Sequence, residues 1–214
     1  MKRFLQSLAV IGLTVLAVSP GTAHATSLAP LTHDQMVDAS DLIVEGTVLS
    51  TKVVEDAAGR VWTQASIQVQ RSLKGSAAVG TTVLVESAGG VLPDGNFGAA
   101  HLSPRYDTGE EVLVYLVSRR FGAAYGPVGM MMGKFTIKQN PTDGTDMVVR
   151  FTVPYPQAYD ARFIPNPAKE SRISLASMEL AVLERVAEGW DGNPIAGVSD
   201  DHLRQINKLQ AGVK

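Results

Sequence analysis

The chain has 214 residues, with 19 Lys and Arg against 21 Asp and Glu, and 45% of it is hydrophobic. A charged fraction of 19% excludes a polyelectrolyte, and the slight acid excess argues against nucleic acid as a partner, because phosphate binding needs clustered bases. No Cys is present, which excludes a disulfide scaffold, a thiolate metal site and a cysteine nucleophile.

The first segment is an address. Lys2 and Arg3 precede a mostly apolar run from Phe4 to Val18, then Ser19-Pro20-Gly21 and the small-x-small pattern Ala23-His24-Ala25. This layout predicts a signal peptide over residues 1–25, cleaved between Ala25 and Thr26. The apolar run is shorter than the ~20 residues needed to span a bilayer. The expectation is a secreted or periplasmic protein with Thr26 at its mature N-terminus and no stable membrane anchor after cleavage.

From Asp41 onward the dominant period is two. Leu42, Val44, Gly46 and Val48 alternate with polar residues and predict a strand with one buried face. A polar turn at residues 55–60 leads to a second strand from Val61 to Leu73, with Ala65, Ile67, Val69 and Leu73 inward. Thr82–Glu86 is a third strand, with Val83 and Val85 inward. Residues 88–110 then form a long Gly- and Pro-rich connection, uncommon in compact domains unless it acts as a lip or lid. Residues 112–117 (VLVYLV) are continuously apolar, as in a strand covered on both faces. Residues 133–139 and 147–153 read as a hairpin closed by Pro141-Thr142-Asp143-Gly144.

The C-terminal part changes character. Residues 155–167 are rich in Pro and aromatics and read as an extended wrap. Ser174 can cap a helix to Glu188, with Leu175, Met178, Val182 and Val186 as its apolar stripe and Gly189 as its stop. A shorter helix follows Ser199, with Leu203, Ile206 and Leu209 on one side. The expected organisation is a barrel domain over residues 26–153 and a helical extension over residues 154–214. The expected fold is mainly β: a five-stranded, OB-like Greek-key barrel with an added hairpin and C-terminal helices.

Chemical motifs are sparse. His33, Asp34, Asp38 and Asp41 lie close together and could gather on a hard cation, but lack a recognised metal loop; the plainer reading is a solvated segment leading into the first strand. His101, Ser103 and Asp107 are triad residue types confined to one loop, with no nucleophile elbow, which disfavours a hydrolase. Residues 129–135 (GMMMGKF) lack the spacing and the hydroxyl of a phosphate loop. Their three Met are either core or an adaptable patch for a partner. Trp62 either anchors a partner or fills the barrel mouth. Gly89, Gly90, Asp94 and Gly95 suit a tightly turned rim with exposed backbone. No cofactor motif and no metal site is expected.

Residues 40–48 (SDLIVEGTV), 67–75 (IQVQRSLKG) and 83–86 (VLVE), followed by Gly89-Gly90 and by residues 109–114 (GEEVLV), carry a resemblance. Their order is similar to the OB-fold domain of the tissue inhibitors of metalloproteinases, and to a group of exported bacterial proteins that share the pattern. The resemblance covers about residues 26–138. It implies a non-enzymatic protein-binding module whose partner is a secreted zinc metalloprotease, bound through the mature N-terminal residue. Thr26 occupies that place here, where the inhibitors have a disulfide-bonded Cys. With the rim residues read above from the chain itself, the expected partner-binding residues are Thr26, Ser27, Trp62, Gly89, Gly90 and Asp94. The alternative is an envelope, glycan or ligand-binding module that uses the barrel mouth.

Overall fold

The computed structural model of the chain describes residues 30–98, 102–119, 123–151 and 170–211. Ala25, Thr26, Ser27, His101 and the wrap over residues 155–167 lie outside the described residues. A helix α1 (His33–Ala39) comes first, then β1 (Leu42–Glu55), β2 (Val61–Lys74), β3 (Thr82–Ala88), the short β4 (Gly90–Val91) and β5 (Phe97–Gly98), β6 (Glu111–Ser118) and β7 (Tyr125–Pro127). A 3₁₀ turn at Met130–Gly133 leads to β8 (Lys134–Gln139), β9 (Asp146–Phe151), β10 (Glu170–Ser174), α2 (Leu175–Glu188) and α3 (Asp200–Ala211). No helix among the described residues is long and apolar enough to cross a membrane.

The barrel closes in the ring order β1-β2-β3-β7-β6 and back to β1. Every pairing in the ring is antiparallel except β3 with β7, where Val85 meets Tyr125 in parallel register. The interior holds Leu42, Val44, Val48, Ala65, Ile67, Val69, Val83 and Val85, together with Val112, Val114 and Leu116 from β6. The alternation read from the sequence therefore converges on one core, at roughly 1.5–3 kcal/mol for each large aliphatic side chain removed from water.

The run over residues 112–116 is buried on both faces, as its composition requires. Leu113 and Tyr115 point outward into a second core with Ile43, Met36, Val37, Phe135, Met178, Val182 and Leu203. That core lies between the barrel wall and the three helices. Leu73 belongs to it and not to the barrel interior: the β1–β2 register shifts between Ile43 and Val44 and again between Glu45 and Gly46, and these irregularities break the simple alternation.

One edge of β6 serves two strands. β7 pairs with Leu116–Ser118, and β8 pairs with Val112–Val114. The 3₁₀ turn between them jogs the chain outward, so β8, β9 and β10 extend the sheet beyond the barrel. The expected hairpin is thus present, bounded by Lys134–Gln139 and Asp146–Phe151.

Ser174 accepts from the Ser177 amide at 3.1 Å, and Gly189 ends α2, both as expected. Leu203 and Ile206 are buried on α3, but Leu209 is 70% exposed; the stripe runs off the packed end of that helix. The solvated segment expected before β1 is instead α1. Thr32 caps it, accepting from the Gln35 amide while the Gln35 side chain accepts from the Thr32 amide.

Lys74, Ser40 and Asp41 fasten α1 and the start of β1. Lys74 is buried and its Nζ donates to the Val37 carbonyl at 2.6 Å and the Asp38 carbonyl at 3.3 Å. Burial draws this amine down to about 8. Ser40 Oγ donates to the Met36 carbonyl at 2.6 Å, and Asp41 Oδ2 accepts from the Ser118 amide at 2.6 Å. The Ser-Asp and Lys-Gly motifs are thus structural fastenings.

Candidate functional site

Trp62 opens β2 on the outer wall of the barrel, paired with Ala88 of β3. Its ring is half-buried, and Nε1 donates to Asp56 Oδ2 at 3.0 Å. Two guanidinium groups lie over the ring, Arg119 at 4.3 Å and Arg60 at 5.5 Å from the centroid. Asp56 also accepts from Arg60 Nε at 2.8 Å. The Trp62 hydrogen bond, followed by those from Arg60 and Ala58, holds the Asp56 carboxyl well below the usual range.

Two positions along, on the same face, Gln64 is opposite Glu86, and its amide donates to Glu86 Oε1 at 2.6 Å. Arg119 Nη2 donates to the Glu86 carbonyl at 2.8 Å, and its Nε lies 3.8 Å from Glu86 Oε2. Burial lowers the Arg119 guanidinium from its ordinary value, against the pull of Glu86. This wall of β2 and β3 lies between the β1–β2 turn and the β6–β7 loop, which is the face OB barrels use for ligands.

Gly89 and Gly90 are drawn to the same end of the barrel. The Gly89 amide donates to the Val61 carbonyl, and its carbonyl accepts from Thr63 Oγ1 at 2.7 Å. The connection over residues 88–110 is not free of secondary structure as expected: β4 and β5 form a two-rung hairpin across it. Its tip carries Val91 and Phe97, 65% and 73% exposed. Asp94 is spent in the turn, accepting from the amide and side chain of Asn96. Of the triad residue types, Asp107 accepts from Arg105 Nε at 3.0 Å. Of the candidate cation ligands, Asp38 is buried and held by Arg185 through bonds of 3.0 and 2.6 Å.

Backbone strain is found in the loops that follow β5 and β7. Leu102 (φ 71) and Met130 (φ 57) are the two non-glycine residues with left-handed backbone among those described. They are joined, because the Met131 amide donates to the Leu102 carbonyl at 2.9 Å. Each such residue costs about 1–3 kcal/mol, and such strain clusters at binding and catalytic sites. Met130 stands between two clefts that share Val117, Pro127 and Met130 as a common wall. The larger, about 700 Å³, runs past Leu31, Val128 and Val198 to His202. The smaller, about 300 Å³, ends at Ser87, Glu86 and Arg119. Ser103 and Pro104 also line the smaller cleft and two neighbouring ones.

The three Met divide between the two expectations, Met132 in the core and Met130 and Met131 on clefts. The structure therefore brings Trp62, Gly89 and Gly90 to one rim and adds Arg119, Glu86, Ser87 and Met130. Sequence reading missed these four. Arg119 follows the apolar run of β6 as an ordinary end-of-strand charge, and nothing local marks its stacking on Trp62. In comparison with known proteins, no family model matches the chain and no curated protein matches it.

Proposed function

We propose that the chain is an exported, non-enzymatic binding module whose partner is another protein, with the Met130 ridge and the Trp62 wall as its contact surface. The observation that carries this reading is the strained Met130 backbone standing between two apolar clefts. Apolar pockets with a few convergent polar groups are the usual form of a binding site, and a rigid half-buried Trp beside Arg has the composition of a binding hot spot.

The sharper form is a secreted zinc metalloprotease bound by Thr26 and Ser27. Leu31 supports it: Cδ1 of this residue would lie 3.2 Å from a Cβ at Gly129. Addition of the mature chain to secreted zinc metalloproteases is expected to slow peptide cleavage. A one-residue N-terminal extension is expected to abolish the effect, and Met130→Glu to weaken it at least tenfold. Unchanged cleavage rates with the mature chain would remove the protease as partner.

A glycan of the envelope is the second reading, favoured by the Trp62 ring on an OB ligand face. Retention of the protein on peptidoglycan or chitin, lost in Trp62→Ala, would select it.

A further inference from the structure

Helix α2 is apolar on two sides, and its packing accounts for one of them. Met178 and Val182 are buried in the second core, with Leu175 and Val186 packed against it. Away from that core Ala176, Leu180, Leu183 and Ala187 are all exposed, Leu180 by 57% and Leu183 by 43%. At 3.6 residues per turn these positions fall within about 60° of the helix circumference, in one stripe about 17 Å long. Their spacing of four, three and four residues is the heptad pattern of a helix that packs on another helix. A helix apolar on both sides is normally covered on both, whereas both Leu of this side stand open to solvent.

Symmetry and charge decide what covers it. Read in either direction the stripe runs Ala-Leu-Leu-Ala at the same spacing. An antiparallel copy of α2 therefore brings Leu180 opposite Leu183 and Ala176 opposite Ala187, and a two-fold axis repeats both pairs. A helix of another protein would need no such palindrome. The flanks agree. Ser177 and Glu184 border the stripe on one side, both exposed, and antiparallel pairing sets each Ser177 against the Glu184 of the other copy. Ser177 Oγ accepts from Ser174 Oγ at 3.2 Å, which leaves its own proton for that carboxylate in a charge-assisted bond. On the other flank Glu179, engaged by Arg71 at 2.6 Å, faces Val186. Parallel pairing would instead set Glu184 against Glu179 twice, with the Arg71 charge already spent.

We propose that two copies of the chain associate through α2 as an antiparallel, two-fold dimer, with Leu180 of each packed on Leu183 of the other. This contact is separate from the surface assigned above, because none of its residues lines the clefts beside Met130. One helix face per copy falls short of the ~800 Å² per partner of a standard interface. The dimer is therefore reversible, with a dissociation constant on the order of 10–100 μM.

The test is sedimentation equilibrium of the mature chain at loadings from about 5 to 500 μM, which bracket that constant. The mass is expected to rise from one chain to two and stop there. A mass that stays at one chain, or climbs past two, overturns the proposal. Leu180→Glu and Leu183→Glu are each expected to weaken association at least tenfold, since the axis repeats either change. Both positions are exposed, so the far-ultraviolet spectrum should stay native, and each variant repeats the test should the other perturb folding. Leu209→Glu, at a 70% exposed position on α3 outside the stripe, is expected to leave association unchanged. Undiminished association in a folded Leu180→Glu or Leu183→Glu chain, or an equal loss in Leu209→Glu, overturns the proposal. Orientation is read by cross-linking, which the absence of Cys makes clean. When Ala176→Cys and Ala187→Cys chains are mixed and oxidised, the mixed disulfide is expected to dominate. Dominance of either self-pair marks a parallel dimer and overturns the antiparallel contact.

Discussion

Glu45 lies on the outer face of β1 and is 7% exposed, beneath α2. Burial first, then the hydrogen bond and charge of Glu179, push its carboxyl up to about 7, with Arg71 pulling the other way. Arg71 instead pairs with Glu179 at 2.6 Å, which leaves Glu45 without a cation of its own. The folded state therefore keeps a proton that the unfolded chain releases near 4.5. Stability is unaffected below that pH, falls as pH rises towards 7, and carries the full penalty above it. Glu45→Gln removes the ionisation. It is expected to raise stability at pH 8 by roughly 1–3 kcal/mol and leave it unchanged at pH 4, as urea unfolding at the two pH values would show.

Asp38 and Arg185 present the opposite case, a buried pair made by residues far apart in the chain. Desolvation raises the Asp38 carboxyl even beside its partner, while the Asp38 hydrogen bonds raise the Arg185 guanidinium. Such a pair contributes little net stability, yet breaking it strands a charge. Arg185→Ala is expected to cost about 3–5 kcal/mol. Adding Asp38→Asn should restore part of that loss, since a neutral amide tolerates the vacated site better. A double-mutant cycle measures the coupling.

At the scale of elements, the jog between β7 and β8 shapes the candidate site, because it places Met130 between the clefts. Gly133 makes it possible: a Cβ there would lie 2.4 Å from the Val128 carbonyl oxygen and 2.9 Å from that of Tyr115. Both are backbone atoms in the ladder, as the Val128 amide donates to Tyr115 at 2.8 Å. Gly133→Ala is expected to destabilise by at least ~1–3 kcal/mol and to shift the Met130 methyl resonance. Gly126→Ala, whose nearest neighbours are atoms of the flexible Arg119 side chain, should leave stability nearly intact and displace the guanidinium from Trp62.

For the molecule as a whole, the two cores are joined through single strands. β6 supplies Val112, Val114 and Leu116 to one core and Leu113 and Tyr115 to the other. The helices Met178, Val182 and Leu203 come from complete the second. A chain ended at Val153 would lose Met178, Val182 and Leu203 from the second core and bare the apolar side chains that those helices cover. It is expected to bind a hydrophobic dye and to unfold less cooperatively than the full-length chain, as calorimetry would record.

The strands of the barrel were readable because a period of two in Leu42, Val44, Ile67, Val69, Val83 and Val85 has one solution, a shared interior. The ends of α2 were readable because Ser174 and Gly189 act on backbone groups within four residues of themselves. α1 went unseen because seven residues carry too little periodicity, and its burial depends on Lys74 and Arg185. Local chemistry and side-chain alternation are written along the chain, and they set the β class, the strand order of burial and the helix caps. The strained Met130 and the stack on Trp62 arise between residues 25 to 60 positions apart, brought together only when the ring closes. Those features belong to the folded molecule, because distance in space and burial are properties of no single segment.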